Sequence, residues 1–119
     1  MAGFNHLILF VNGQKQIKPY SRGYVEVMVK DDEDNLLSII RENATLANKD
    51  IQDSCALLVA LRRAKGMGAN NITLYLDNSK LCDELRSKQC CSDALLNSFM
   101  QEAKELMTRF ENVTVKLAQ

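Results

Sequence analysis

The sequence has only one histidine, His6, and its four cysteines include no C-x-x-C pair. A structural zinc site needs a closely spaced set of cysteine and histidine ligands, so this absence argues against one. The chain also has no net charge, because 15 acidic residues balance 15 basic ones. It therefore lacks the overall positive field of a strong non-specific nucleic-acid binder, although a basic patch on one face is compatible with the balance.

Hydrophobic runs in the chain are short. The N-terminal segment MAGFNHLILFVNGQ has one short apolar run, with no basic region before it and no cleavage site after it. We therefore expect neither a signal peptide nor a membrane span. A chain of 119 residues has the size of one domain, so we predict a single domain over residues 1–119 that stays inside the cell, in the cytoplasm or the nucleus.

The four cysteines fall into two groups. Cys55 and Cys82 lie in apolar segments, and we expect both to be small buried side chains. Cys90 and Cys91 are adjacent in a polar segment, where an exposed thiol with a redox role is the alternative to an ordinary surface residue.

Three strands are predicted in the first part of the chain. The run HLILFVNG is apolar until it ends in Asn12-Gly13, a favoured turn pair. In GYVEVMVK the valines alternate with other residues, which predicts a strand whose valines face the core. The polar turn DDEDN then leads into LLSIIRENA, a third strand antiparallel to the second.

The rest of the chain alternates helices with strands. From Asp53, alanine and leucine recur at helical spacing until Gly66 and Gly68 close the segment, and Asp50 or Asp53 would cap its start. NITLYLD predicts a fourth strand and is followed by a short helix, a longer helix capped by Ser92, and a last strand. The apolar stripe of the longer helix is predicted to face the core and contains Leu95, Leu96, Phe99, Ala103, Leu106 and Phe110. A three-stranded antiparallel meander followed by helix-linked strands predicts an α/β fold with a mixed five-stranded sheet.

This order of elements resembles the type I ribonuclease H fold, in particular its compact reverse-transcriptase-like branch. The best match is DSCALLVALRRAKGMGANNITLYLDNSKLCDEL, from Asp53 to Leu85. It is similar to the family segment that runs from the acidic start of the first helix to the strand ending in Asp-Ser. FVNG is similar to the end of the family's first strand, where Asp-Gly is usual.

The resemblance implies a chemistry as well as a fold. Family members cleave the RNA strand of RNA–DNA hybrids with two magnesium ions held by four carboxylates. Hard cations need oxygen ligands of net negative charge, and two of them can activate a water and stabilise the leaving oxygen of a phosphodiester. The family places these carboxylates on strand one, at the start of the first helix, at the end of strand four and on a final helix.

Carried over to this sequence, the carboxylate pattern is incomplete. The strand-one position is Asn12, a neutral amide in place of the metal-bridging aspartate. Asp53 takes the helix-start position, where the usual glutamate reaches one methylene further, and Asp77 matches the strand-four position. The sequence ends after VKLAQ, so we expect the fold to lack the final helix with its carboxylate. Asp53 and Asp77 alone would hold one magnesium ion weakly.

Each of these residues also has a purely structural interpretation. Asp77 would cap the helix that begins near Ser79, and Asp53 would cap the helix that it starts. Asn12-Gly13 would be a turn. A separate basic segment contains Lys15, Lys18 and Arg22, which would contact a phosphate backbone or form a solvated loop.

Three functions follow from these observations. The preferred prediction is a catalytically inactive ribonuclease H-like domain, without a cofactor, that binds a protein partner or forms a homodimer. In the family the final helix helps to cover the sheet near strand five, so its absence would leave apolar surface or an edge strand open for this contact. The second is a magnesium-dependent nuclease on RNA–DNA hybrids that uses Asp53 and Asp77. The third is a non-catalytic nucleic-acid-binding domain. The incomplete carboxylate set, the zero net charge and the missing final helix favour the first.

Overall fold

The computed structural model describes residues 5–14, 24–43, 49–86 and 93–118. Their secondary structure follows the predicted order of strands and helices. The elements are β1 His6–Gln14, β2 Tyr24–Lys30, β3 Leu36–Asn43, α1 Lys49–Gly66, β4 Asn71–Leu76, α2 Ser79–Arg86, α3 Ala94–Met107 and β5 Asn112–Leu117. None of the helices in the described ranges is long and apolar enough to cross a membrane.

The strands form a mixed sheet in the order β3-β2-β1-β4-β5. β2 pairs antiparallel with both β1 and β3, whereas β4 lies parallel to both β1 and β5. Parallel neighbours need a crossover connection, and the helices between β3 and β4 and between β4 and β5 provide it. The predicted α/β fold class is confirmed.

One face of the sheet carries the core. Val25, Val27 and Val29 are buried, which confirms the predicted valine face, and they share it with the buried Leu9 and Leu74 on the central strands. α1 packs on β1 and β2, and α3 packs in turn on α1. The long alanine- and leucine-rich helix is therefore fixed above the centre of the sheet.

The opposite face of the sheet is only partly buried. One row crosses all five strands on this face and contains Ile39, Met28, Phe10, Tyr75 and Lys116. The rings of Phe10 and Tyr75 are stacked with their centroids 4.9 Å apart, and Lys116 Nζ lies 5.8 Å from the centroid of the Tyr75 ring. Ile39, at the β3 end of the row, is 56% exposed.

Both longer helices differ in detail from the prediction. α1 begins at Lys49 rather than at Asp53. Asp93 rather than Ser92 caps α3, because its carboxylate accepts the backbone N–H of Leu96 at 2.9 Å; Ser92 lies outside the described residues. Leu95 is 51% exposed and is not part of the core, whereas other members of the predicted stripe are buried or pack against the core.

The cysteines in the described ranges agree with a structural role. Cys82 is buried as predicted, and Cys55 is half-buried. Burial raises the pKa of both thiols, which disfavours the reactive thiolate. Cys90 and Cys91 lie outside the described residues.

Candidate functional site

Three of the predicted site residues lie at one edge of the sheet. β1 and β4 are parallel neighbours, so their carboxyl ends meet there and bring Asn12 close to Asp77. The first turns of α1 lie over the same edge and place Asp53 there, where both aspartates contact the side chain of Lys49. β1 continues through Gly13 to Gln14, and Asn12 pairs with Glu26 of β2. The prediction of a turn at Asn12-Gly13 is therefore wrong.

Lys49 joins the two aspartates of the site. Its Nζ lies 2.6 Å from Asp53 Oδ1 and 3.4 Å from Asp77 Oδ2. The Asp53 side chain is only 4% exposed, whereas that of Asp77 is 42% exposed. A buried carboxylate is costly unless a charge or hydrogen bonds compensate it, and the ammonium group provides both. The positive charge that compensates the buried Asp53 carboxylate is therefore supplied by a lysine of the same chain.

Asn78 organises the other side of Asp53. Its Nδ2 donates to Asp53 Oδ2 at 3.0 Å and to Asp50 Oδ1 at 2.8 Å. Its Oδ1 accepts the backbone N–H of Leu81 at 3.2 Å, which is the hydrogen bond of a helix cap for α2. Asn78 rather than Asp77 therefore caps α2. The capping interpretation of Asp53 is also wrong, since α1 begins at Lys49 and Asp53 lies inside the helix.

Asn12 faces a shallow cavity beside the aspartates. The cavity measures about 210 Å³, and its lining includes Asn12, Glu26, Tyr75 and Asp77. The Oδ1 atom of Asn12 is buried and has no hydrogen-bond partner among the described residues. A buried acceptor without a donor is unusual, and it leaves one polar group available at the position where the family has its strand-one aspartate.

Lys49 and Asn78 complete this site and were not predicted from the sequence. Lys49 and Asp53 have the i,i+4 spacing of a helical ion pair, but that signal is visible only once α1 is known to begin four residues before Asp53. Asn78 directly follows Asp77, so the wrong member of this pair was expected to cap α2. Lys15, Lys18 and Arg22 lie outside the described residues, and the basic loop stays a prediction.

A model of the reverse transcriptase-like family matches residues 11–119, which include β1 from Val11 onward and every later element. The chain belongs to the reverse transcriptase-like family. The match confirms the resemblance noted from the Asp53–Leu85 segment and from the order of elements. No curated protein sequence matches the chain significantly.

Solved structures support the same fold. An RNase H1 from the halophilic archaeon Halobacterium salinarum superposes with a TM-score of 0.84 at 18% identity, over 95% of this chain and 85% of its own. The N-terminal RNase H domain of a Mycobacterium tuberculosis protein has a TM-score of 0.85 at 13% identity, over 95% of this chain and 81% of its own. LC11-RNase H1, solved in complex with an RNA/DNA hybrid, has a TM-score of 0.81 at 12% identity, over 94% of this chain and 84% of its own. At these identities the likeness establishes the ribonuclease H-like fold.

The site of this reverse transcriptase-like domain does not fit the two magnesium ions of ribonuclease H chemistry. The Lys49 ammonium group contacts both aspartates, so a divalent ion between them would be repelled by a fixed positive charge. Asn12 contributes a neutral oxygen where a charged one is usual. Within the described ranges, no three acidic, histidine or cysteine side chains are grouped so that they could hold a metal ion.

The contacts of the Asp50 carboxyl predict that the stability of the domain depends on pH. The hydrogen bond from Asn78, followed by the contact with Lys80, holds the pKa of the Asp50 carboxyl below its usual value of 3.8. The ionised form is therefore favoured in the folded state. Its stabilisation is complete well above pH 3.8 and is lost as the pH falls through the lowered pKa.

We expect Asp50→Asn to reduce the free energy of unfolding at neutral pH, and we expect the difference from the natural protein to shrink below about pH 4. Urea unfolding curves measured from pH 3 to pH 7 would test this. Asp83→Asn, at an exposed position on α2, is the matched control. A difference that is the same at every pH would contradict the role given to the Asp50 charge.

Proposed function

We propose that this chain is a non-catalytic ribonuclease H-like domain that acts by binding a protein partner. The observation that carries the proposal is the position of Lys49, whose ammonium group lies within 2.6 Å of Asp53 and 3.4 Å of Asp77. Two-metal hydrolysis needs a cluster of negative charge that is open to cations. Here a single ammonium group of the same chain already contacts both remaining carboxylates and offsets part of their negative charge.

The protein-binding half of the proposal is supported by apolar surface on β3. Leu36 and Ile39 are 50% and 56% exposed, and both lie on a strand at the edge of the sheet. Edge strands with exposed apolar side chains are sites where another polypeptide can pair. The zero net charge of the chain adds no general preference for polyanions.

The test is incubation of a labelled RNA–DNA hybrid with the protein in magnesium and, separately, in manganese, followed by denaturing and native gels. We expect the hybrid to stay intact even at high protein concentration. Cleavage that disappears in Asp77→Asn would overturn the proposal and would identify a magnesium-dependent nuclease that uses Asp53 and Asp77. Cleavage that persists in Asp77→Asn would indicate a contaminating nuclease and would call for repurification.

Binding of nucleic acid without cleavage is the second candidate. It is favoured by the complex of LC11-RNase H1 with an RNA/DNA hybrid and, on this chain, by Lys30 and Lys116 above the rings of Phe10 and Tyr75. A shifted but uncleaved band on the native gel, weakening steeply with added salt, would support it. An unshifted band would leave protein binding as the function.

A further inference from the structure

The two edges of the sheet differ in how far they are covered. At the β5 edge, a guanidinium N–H of Arg86 on α2 donates to the carbonyl of Val115. At the β3 edge, no backbone hydrogen bond from any other described element reaches the strand beyond its pairing with β2. As far as residues 5–14, 24–43, 49–86 and 93–118 are concerned, backbone donors and acceptors on the outer side of β3 are therefore available to another strand.

A groove runs along the helix side of β3. It has a volume of about 450 Å³ and lies between β3 and α1. Ile40, Val59 and Met67 provide its apolar lining, while Glu42 and Arg63 are exposed at its rim. α1 packs on β1 and β2. On this side of β3, Ile40 is only 9% exposed, whereas Glu42 is exposed.

The pattern of exposure on β3 favours a strand as its occupant. Ile39 is exposed on the open face of the sheet, and Ile40 lines the groove on the helix face. Side chains of a strand point alternately to the two faces, so one added strand would cover both features at once. A helix or a nucleic acid placed on one face would cover only one of them.

The charges at the rim of the groove are complementary to a second copy of the same surface. Glu42 is near the end of β3 that lies beside the start of α1, and Arg63 is near the opposite end of the groove. Neither forms an ion pair with any residue in the described ranges. A two-fold axis through the middle of β3 would exchange these ends and bring Glu42 of each copy toward Arg63 of the other.

Other charges on the strand do not oppose this pairing. Arg41 turns back onto its own sheet, where its guanidinium lies 4.1 Å from the centroid of the Tyr24 ring and its Nε is 3.1 Å from Glu26. Arg62 is paired with Glu102 at 3.0 Å. The zero net charge also means that two copies do not repel each other as whole molecules.

We propose that β3 pairs antiparallel with β3 of a second copy of this chain, with Glu42–Arg63 ion pairs on both sides of the two-fold axis. The inference rests on the proposed protein-binding function and specifies its partner as the chain itself. It does not depend on whether the domain cleaves RNA, because the groove and β3 share no residue with the Lys49–Asp53–Asp77 site.

The test uses charge reversal and sedimentation equilibrium. We expect the natural chain to be a dimer and both Glu42→Arg and Arg63→Glu to weaken the dimer by about 30-fold, because each reversal creates two like-charge contacts. Mixing the two variants in equal amounts should restore association, since every contact in the mixed dimer joins opposite charges again. The double variant carrying both reversals should also dimerise, which guards against a single variant that fails to fold.

Arg109→Glu, an equal change of charge outside the groove, is the matched control and should not affect association. A natural chain that is monomeric at 100 µM would overturn the inference. So would a dimer that survives both single reversals or is not restored in the mixture. Each of these outcomes can be combined with an intact hybrid in the cleavage assay, so failure of the dimer is distinguishable from failure of the non-catalytic proposal.

Discussion

Replacing Asp53 by alanine is expected to lower the free energy of unfolding by about 2 kcal/mol, because the change leaves a part-buried hydrogen-bond donor without its partner. The carboxylate is almost fully buried and accepts hydrogen bonds from Lys49 and Asn78. Its removal leaves the Asn78 amide without one of its two acceptors, at the residue that caps α2. Urea unfolding followed by circular dichroism would measure the change.

Asp77→Ala is the matched control, since Asp77 contacts the same ammonium group with a side chain that is 42% exposed. We expect it to cost less than about 1 kcal/mol, because a solvent-exposed ion pair contributes little to stability. Equal losses for the two variants would contradict the conclusion that burial makes Asp53 the structural centre of the site.

The second large effect is expected from restoring negative charge to the site. Combining Asn12→Asp with Lys49→Ala removes the tethered cation and supplies a third carboxylate beside Asp53 and Asp77. If the new site binds magnesium with a dissociation constant near 1 mM, 10 mM magnesium should stabilise the variant by about 1.4 kcal/mol. That corresponds to a rise in Tm of about 5 °C for a domain of this size.

Asn12→Asp combined with Lys49→Arg is the control, because it adds the same carboxylate but keeps a positive charge. Magnesium should not change the Tm of the natural chain, and it should not change the Tm of this control variant. A magnesium-dependent rise in the natural chain would mean that Lys49 does not prevent metal binding, and would favour the nuclease interpretation.

The general architecture could be predicted because it depends on patterns that are local in the sequence. Alternating valines in β2 and the alanine and leucine spacing of α1 mark which face of each element is buried. The order of strands and helices along the chain then predicts the mixed sheet. The resemblance to ribonuclease H assigned Asn12, Asp53 and Asp77 to three positions of one carboxylate cluster, and in the structure these residues lie near one another.

The chemistry of the site was less accessible from sequence. The role of Lys49 depends on where α1 begins, and helix starts are set by contacts that the local pattern does not record. The choice of Asn78 over Asp77 as a cap depends on side-chain direction, since both residues follow β4 and both types favour caps. The exposed rim of the groove depends on where α1 lies over the sheet, which is a property of the packing between elements.

The contact of α2 with the β5 edge affects where a further strand can be added to the sheet. A sheet joined through β3 would have ten strands, and both of its outer strands would be β5, where Arg86 of α2 donates to the carbonyl of Val115. On each outer edge this carbonyl would already have a donor, so a further strand would have to displace Arg86 in order to pair there. Pairing through β3, in contrast, displaces no backbone hydrogen bond from another described element, so the two edges of the sheet are not equivalent for strand addition.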